Sequence, residues 1–345
     1  MTDSEPKPFY SLTKQQVAHI VTEHKLPAYR AAQVWKHAYS QGGWGFERAT
    51  AIPKGLHVEF EEAFPLKTAV EKKRLASSDG DTEKFLFEFP GNSFIEAVVI
   101  GAPGRTAVCL STQVGCDLGC TFCASAHGGK QRDLLDYEII EEFVASTSLS
   151  GRKITHVVFM GMGEPLLNLH NVISSIKALV DPDRFGISHR RITVSTIGVV
   201  PGIRELAKSE LGVSLAISLH APNQELRARL IPSAKKWLFD DIIEAARFYQ
   251  ETTGRQVTFE YCLIDGVNDS PISARELARK LKSGGYAINI IPLNPIPGCE
   301  YRSPVPETVD RFKNALVEAG LTATVRREKG ADIGAACGQL RREGV

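Results

Sequence analysis

The chain has 345 residues, 43% hydrophobic and 23% charged, the make-up of a globular protein rather than a disordered, collagen-like or coiled-coil one. Lys and Arg number 41 against 40 Asp and Glu, so a net charge of +1 offers no global pull toward nucleic acid, and any such contact must rest on a local patch. Seven cysteines in a long chain argue against a disulfide framework, and no apolar run of about 18 residues and no signal-peptide layout is seen; the expectation is a soluble, cytoplasmic protein without a membrane partner, whose cysteines serve metal or redox chemistry.

The first 70 residues read as helical. Ser11-Leu-Thr-Lys-Gln-Gln-Val-Ala-His-Ile-Val opens on a capping hydroxyl and carries apolar residues at helical spacing. Residues 29–39 and 53–64 read as two more helices, with Tyr39, Trp44 and Phe46 in their core. Glu71-Lys-Lys-Arg74 then leads into the polar turn Ser77-Ser-Asp-Gly80. The expected division is an N-terminal helical accessory domain over 1–70 and a second domain over 71–345.

Residues 84–89 and 93–100 read as strands of a hairpin turning at Pro90-Gly-Asn92. Strand patterns at 106–112, 154–160, 191–196, 213–219, 257–264 and 287–292 alternate with helical ones near 137–147, 169–180, 202–208, 239–251 and 274–282. A helix at 306–319 and a short strand at 323–325 precede the tail. Six β–α alternations predict an α/β fold with a parallel sheet and crossover helices, a partial (β/α)6 TIM-like barrel. In such folds reactive groups gather at the carboxyl ends of strands. There this chain has Gly115-Cys116, Gly161-Met-Gly-Glu-Pro165, Ser195, Ser218-Leu-His-Ala-Pro222, Asp265-Gly-Val-Asn-Asp269 and Asn294-Pro-Ile-Pro-Gly298.

Cys116-Asp-Leu-Gly-Cys120-Thr-Phe-Cys123 is the sharpest signal. Three thiolates within eight residues can converge on one metal centre. Zinc asks for a fourth ligand, and only His127 is near. An iron–sulfur cube accepts closely spaced thiolates, and three of them leave one iron open to a substrate.

Cys-x-x-x-Cys-x-x-Cys after the first strand of this alternation resembles the radical S-adenosylmethionine (SAM) enzymes. Leu110-Ser-Thr-Gln-Val-Gly-Cys116, Gly161-Met-Gly-Glu-Pro-Leu-Leu-Asn168, Thr193-Val-Ser-Thr196, Ser218-Leu-His-Ala-Pro222, Thr258-Phe-Glu-Tyr261, Gly266-Val-Asn-Asp-Ser270, Asn294-Pro-Ile-Pro-Gly298 and Asp332-Ile-Gly-Ala-Ala-Cys337-Gly-Gln-Leu340 narrow the likeness. They resemble the RlmN/Cfr family of radical SAM RNA methyltransferases, the RlmN type most, over nearly the whole chain.

The resemblance implies a [4Fe–4S] cluster on Cys116, Cys120 and Cys123, with SAM bound at the open iron. It implies that Gly163, Glu164, Ser195, Ser218, Leu219, His220 and Asn294 hold SAM. Cys337 matches the family's methyl carrier, Cys109 the thiol that releases the product through a transient disulfide, and Glu96 the general base. Glu96 stands in an apolar strand, a setting that raises a carboxyl pKa. Cys262 and Cys299 match no role and read as core or surface thiols. The implied substrate is an adenine of 23S ribosomal RNA, with tRNA as a further candidate, and the implied electron donor is a flavodoxin or ferredoxin. The helical N-terminal region is an RNA-binding domain in the family. Basic stretches at Lys72–Arg74, Arg190–Arg191, Lys235–Lys236 beside Trp237, Arg326–Lys329 and Arg341–Arg342 read first as solvated faces.

The chain departs from the family's usual text after Cys123, where it has Ala124-Ser-Ala-His-Gly-Gly-Lys-Gln-Arg-Asp-Leu134, at Ile197, and at Ser233-Ala-Lys-Lys-Trp237. These departures leave open a Cfr-like carbon-8 methyltransferase or a paralogue with another RNA target. A non-catalytic metal or electron-transfer module is the alternative from another class, and it needs no Cys337.

Overall fold

The computed structural model describes residues 6–326 and 328–341. The cap of the first helix comes from Thr13, not Ser11: its hydroxyl accepts the Gln16 N–H while the Gln16 side chain accepts the Thr13 N–H, opening α1 (Lys14–Glu23). α2 (Tyr29–Ala38) and α3 (His57–Ala63) follow, the latter entered through a 3-10 turn at Lys54–Leu56. Their aromatic residues Phe9, Trp35, Tyr39, Phe46, Phe60 and Phe64 are continuous with the core of the rest of the molecule. Two indole N–H groups fix the docking: Trp35 donates to Asp183 O at 3.0 Å and Trp44 to Glu141 at 3.2 Å.

β1 (Val70–Ala76), β2 (Thr82–Phe89), β3 (Ser93–Ala102) and β4 (Arg105–Cys109) form an antiparallel meander. The sequence does not announce β1, because Glu71 to Arg74 is charged. At a sheet edge charged residues are what a strand carries. β5 (Gln113–Gly115) and β6 (Lys130–Asp133), also unannounced, pair antiparallel and pinch the ends of the cysteine loop together.

Then come α4 (Asp136–Ser150), β7 (His156–Phe159), α5 (Leu169–Val180), β8 (Ile192–Thr196), α6 (Val200–Lys208), β9 (Ser214–Ser218), α7 (Gln224–Leu230), α8 (Phe239–Thr253), β10 (Val257–Leu263), α9 (Pro271–Leu281), β11 (Ala287–Pro292), α10 (Pro306–Glu318) and β12 (Thr322–Val325). β4 and β7 to β12 run parallel in chain order, within a ten-stranded sheet of the described residues. The expected six β/α units are there. The short strand near the tail joins them as a seventh parallel strand beside β11.

Side-chain size makes this sheet hollow. The large apolar residues Val108, Val157, Phe159, Ile192, Val194, Leu215, Ile217, Val257 and Phe259 are buried. Many of the residues alternating with them are small: Ala107, Cys109, Thr193, Ser214, Ala216 and Thr258 line one cavity of about 530 Å³, together with Val158 and Ile291. Residues of every strand from β3 through β11 except β5 and β6 line it, which a flat sheet cannot achieve, so the sheet curves around it. A packed barrel interior would carry bulky branched side chains there.

Candidate active site

A second cavity of about 160 Å³ lies at the carboxyl ends of the parallel strands. It is lined by Cys116, Cys120 and Cys123, by Gly163 and Glu164, by Ser195, Ser218 and His220, and by Asn294 and Cys337. Every residue expected to hold the cluster or SAM is therefore in one place except Leu219. That side chain is fully buried in the core, and its backbone N–H donates to Glu260 O at 3.0 Å. Met160, Glu260, Ile291, Asn294, Arg326, Cys337 and Gly338 line both cavities and form the wall between them.

The cysteine loop is held from three sides. Thr121 N–H donates to Leu230 O at 2.9 Å, Ala124 N–H to Gly338 O at 2.7 Å, and the Ser125 hydroxyl to Leu340 O at 2.6 Å. Burial pushes the Cys116 thiol up to about 12 and raises Cys120 and Cys123 as well, while N–H groups of Ser125 and Ala126 favour the Cys123 thiolate. Thiols so buried ionise only with a metal to receive them. Among the described residues no three His, Cys, Asp or Glu side chains meet at the distances of a single-ion site. His127 is exposed and does not join the three thiols at the cavity, so it does not complete the four-ligand set that zinc asks for. Three thiols around one cavity suit a multi-iron cluster, where each holds a different iron.

Gly163 has φ of 100°, and a Cβ there would stand 2.5 Å from the Gln113 Cβ, so only glycine fits this turn. It delivers Glu164, which the Gln113 side chain anchors by accepting the Glu164 N–H at 2.8 Å. The Glu164 carboxylate accepts N–H bonds from Leu166 at 3.0 Å and Ile197 at 2.9 Å. Ile197, a departure from the family's text, thus serves through its backbone. Burial, only partly offset by those bonds, raises the Glu164 pKa from 4.5 to about 7. A carboxyl with a raised folded-state pKa stabilises the fold below its unfolded value and loses that contribution as pH rises through the folded one. The cofactor-free protein should therefore lose roughly 3 kcal/mol between about pH 4.5 and 7 from this group. Glu164→Gln should flatten that part of the decline, measured by denaturant midpoints at pH 5 and 8; an unchanged pH dependence would contradict the assignment.

His220 is held in the neutral form by burial, its pKa lowered to about 3. Its Nδ1 accepts the Cys262 N–H at 2.8 Å, which leaves the ring proton on Nε2 as a donor. Cys262 is thus no surface thiol: it lines the smaller cavity and orients His220. Cys299 is half-buried, its sulfur 3.6 Å from Thr121 O in the cysteine loop.

The tail crosses the cavity mouth. Asn294 Nδ2 donates to Cys337 O at 3.0 Å, and Gln339 Nε2 to Pro295 O at 2.8 Å. Cys337 faces both cavities, whereas Cys109 lines only the larger. Burial, and then the nearby Cys337 sulfur, raise the Cys109 thiol, and Arg326 opposes the rise. Sequence reasoning passed over Arg326 as part of a basic run; its pKa is raised foremost by Cys337 and its Nη1 reaches the Met160 sulfur at 3.7 Å. Glu260 was also missed. Its Oε2 is buried at the wall between the cavities with no hydrogen-bond partner in the described structure. Its signal was a carboxylate in an otherwise apolar strand.

Glu96 departs from expectation. It is buried, but not among apolar groups: it pairs with buried Lys84 at 3.0 Å and accepts the Arg341 N–H at 2.8 Å. It lines neither cavity, because the tail and Lys84 cover it.

Residues 110–278 match the Radical SAM superfamily model. The chain is 41% identical over 338 residues to "Probable dual-specificity RNA methyltransferase RlmN" of Symbiobacterium thermophilum, covering 97% of this chain and 91% of that one. It is 42% identical over 343 residues to "Ribosomal RNA large subunit methyltransferase N" of Nitrosopumilus maritimus, covering 96% and 97%. The crystal structure of a radical SAM methyltransferase from Sphaerobacter thermophilus superposes with a TM-score of 0.91 at 41% identity, over 98% of this chain and all of that one.

Proposed function

The chain belongs to the RlmN family of radical SAM RNA methyltransferases, and from that premise we propose that it methylates carbon 2 of an adenine in 23S ribosomal RNA, and of an adenine in tRNA, with Cys337 carrying the methyl group. It is a SAM-dependent RNA methyltransferase, and its cofactors are a [4Fe–4S] cluster and SAM. Cys116, Cys120 and Cys123 hold the cluster. When bound, it supplies the electron that splits SAM and yields a hydrogen-abstracting radical.

The observation that carries the reading is the position of Cys337, which alone of the two reactive thiols faces both cavities. A methyl carrier must meet the cofactor that loads it and the thiol that releases its product. Adenine carbon 2 is electrophilic and offers no electron pair to an ordinary methyl donor, so a carrier-bound carbon radical must attack it. The adduct passes its odd electron to the oxidised form of the one-electron carrier and loses the carbon-2 proton. The Cys109 thiolate then attacks the Cys337 sulfur to form a disulfide. The electron pair of the broken sulfur–carbon bond stays on the methylene carbon, which takes up a proton and leaves as the methyl group of the base. Arg326 beside both sulfurs favours the Cys109 thiolate. Glu96 takes the proton from carbon 2, which requires the tail to lift from it.

Glu164 accepts hydrogen bonds from the SAM ammonium group, and the His220 Nε2–H, Ser195, Ser218 and Asn294 supply further polar contacts. For the RNA, Lys72 is paired with Glu88 at 2.7 Å, Arg74 with Glu83, and Lys329 with Asp81 at 2.6 Å. Arg342 lies outside the described residues. Lys235 and Lys236 are exposed on a 3-10 turn that packs against Gly119 of the cysteine loop, and we assign them to the phosphate backbone. The N-terminal helices form the accessory RNA-binding part, and a flavodoxin or ferredoxin donates electrons. No described helix is long and apolar enough to cross a membrane; a ribosomal RNA substrate fits a cytoplasmic location.

The test is anaerobic reconstitution with iron and sulfide, followed by SAM, reductant and, in separate reactions, 23S ribosomal RNA and tRNA. Mass analysis of the nucleosides should give 2-methyladenosine. 8-Methyladenosine would transfer the enzyme to the Cfr type, and no methylated adenine in either RNA would overturn the reading.

A further inference from the structure

Arg227 is fully buried, on α7 immediately after the segment that carries Ser218 and His220. α7 is bolted to the cluster loop: Leu230 O accepts both the N–H of Thr121, at 2.9 Å, and its hydroxyl, at 3.2 Å. The Arg227 guanidinium donates to the carbonyls of Ile197 and Trp237, and its Nε has no partner. Among the described residues no carboxylate lies within ion-pair distance of it. The groups that act on its charge through space are the Cys120 sulfur and the Glu164 carboxylate. Ile197 links these partners, donating its N–H to Glu164 and accepting from the Arg227 guanidinium at its carbonyl oxygen.

A buried cation is strongly disfavoured without an anion nearby, and two carbonyl dipoles offset only part of that cost. A thiolate cluster held by Cys120 would supply such an anion. A [4Fe–4S]2+ core with three thiolates carries one net negative charge, and one-electron reduction makes it two. We propose, resting on the cluster assignment above, that Arg227 is a positioning residue whose charge the loaded cluster compensates, and that it raises the cluster's reduction potential. A fixed cation in a low-dielectric site favours the more negative state. No bond forms or breaks at Arg227; the electron comes from an external one-electron donor.

The experiment is a redox titration of the reconstituted holoenzyme, followed by electron paramagnetic resonance of the reduced cluster, for the wild type, Arg227→Lys, Arg227→Gln and Arg227→Met. Arg227→Lys should keep the wild-type midpoint. Arg227→Gln and Arg227→Met should lower the equilibrium constant for reduction at least tenfold at fixed potential, a shift of about 59 mV. Lysine and glutamine both retain a hydrogen-bond donor, so that pair decides the matter if Arg227→Met does not fold. Equal midpoints in the lysine and glutamine variants would overturn the proposal, leaving Arg227 a structural donor only. A wild-type protein that takes up no four-iron cluster would overturn the functional reading and this inference with it, whereas a methylating wild type beside unshifted variants would overturn this inference alone.

Discussion

Cys337→Ala is expected to abolish RNA methylation, by about 10⁴-fold or more, while the protein still folds and takes up its cluster. The fold survives because the tail is held by other groups: Gly338 O to Ala124, Leu340 O to Ser125, Gln339 to Pro295 and the Cys337 carbonyl, not its thiol, to Asn294. The chemistry does not survive because, among the described residues, a methyl group delivered to this cavity has no other thiol that faces both the cofactor side and Cys109. Cys262 lines only the smaller cavity. Cys109→Ala should fail differently. Its product is not free RNA with an unmodified adenine but RNA held covalently on Cys337, visible as a protein–RNA adduct on a denaturing gel. Equal behaviour of the two variants would argue against separate carrier and releasing roles.

Cys120→Ala is expected to lose cluster and activity together. The remaining two thiols, both raised by burial, hold too few irons to assemble a four-iron core. The colour of the reconstituted protein and its iron and sulfide content give the readout, and Cys299→Ala supplies the control. Cys299 touches the loop through Thr121 O but lines neither cavity, so that variant should keep its cluster and its methylation activity. A coloured, four-iron Cys120→Ala protein would remove Cys120 from the ligand set.

Much of this site was legible because its chemistry sits where strands end. Gly163-Glu164, Ser195, Ser218 and Asn294 each follow or finish a parallel strand, and strand periodicity alone puts them at one rim. The six β/α units were legible for the same reason. β1 was not, since its Glu71 to Arg74 run is the signature of a solvated loop as much as of a charged edge strand. β5, β6 and α7 are only 3, 4 and 7 residues long, too short for a period to declare itself. The hollow interior could have been read: parallel strands covered on both faces should be continuously apolar, yet small or polar residues, Ala107, Cys109, Thr193, Ser214, Ala216 and Thr258, alternate with large apolar ones in β4, β8, β9 and β10. The polar setting of Glu96 was not legible because its partners, Lys84 and the Arg341 backbone, are distant in sequence and meet it only through the meander and the tail. The cationic roles of Arg227 and Arg326 had no local pattern to reveal them. A lone arginine in a short helix or a basic run looks the same whether it faces water or a buried sulfur.

The central claim is that the methyl group rests on Cys337 and loses a hydrogen there before it reaches the base. SAM deuterated at its methyl group tests this in one measurement, the mass of the methylated adenosine. Passage through Cys337 predicts that the product keeps two of the three deuterons, the third appearing in the deoxyadenosine by-product. A product that keeps all three would mean direct transfer of an intact methyl group and would contradict the account.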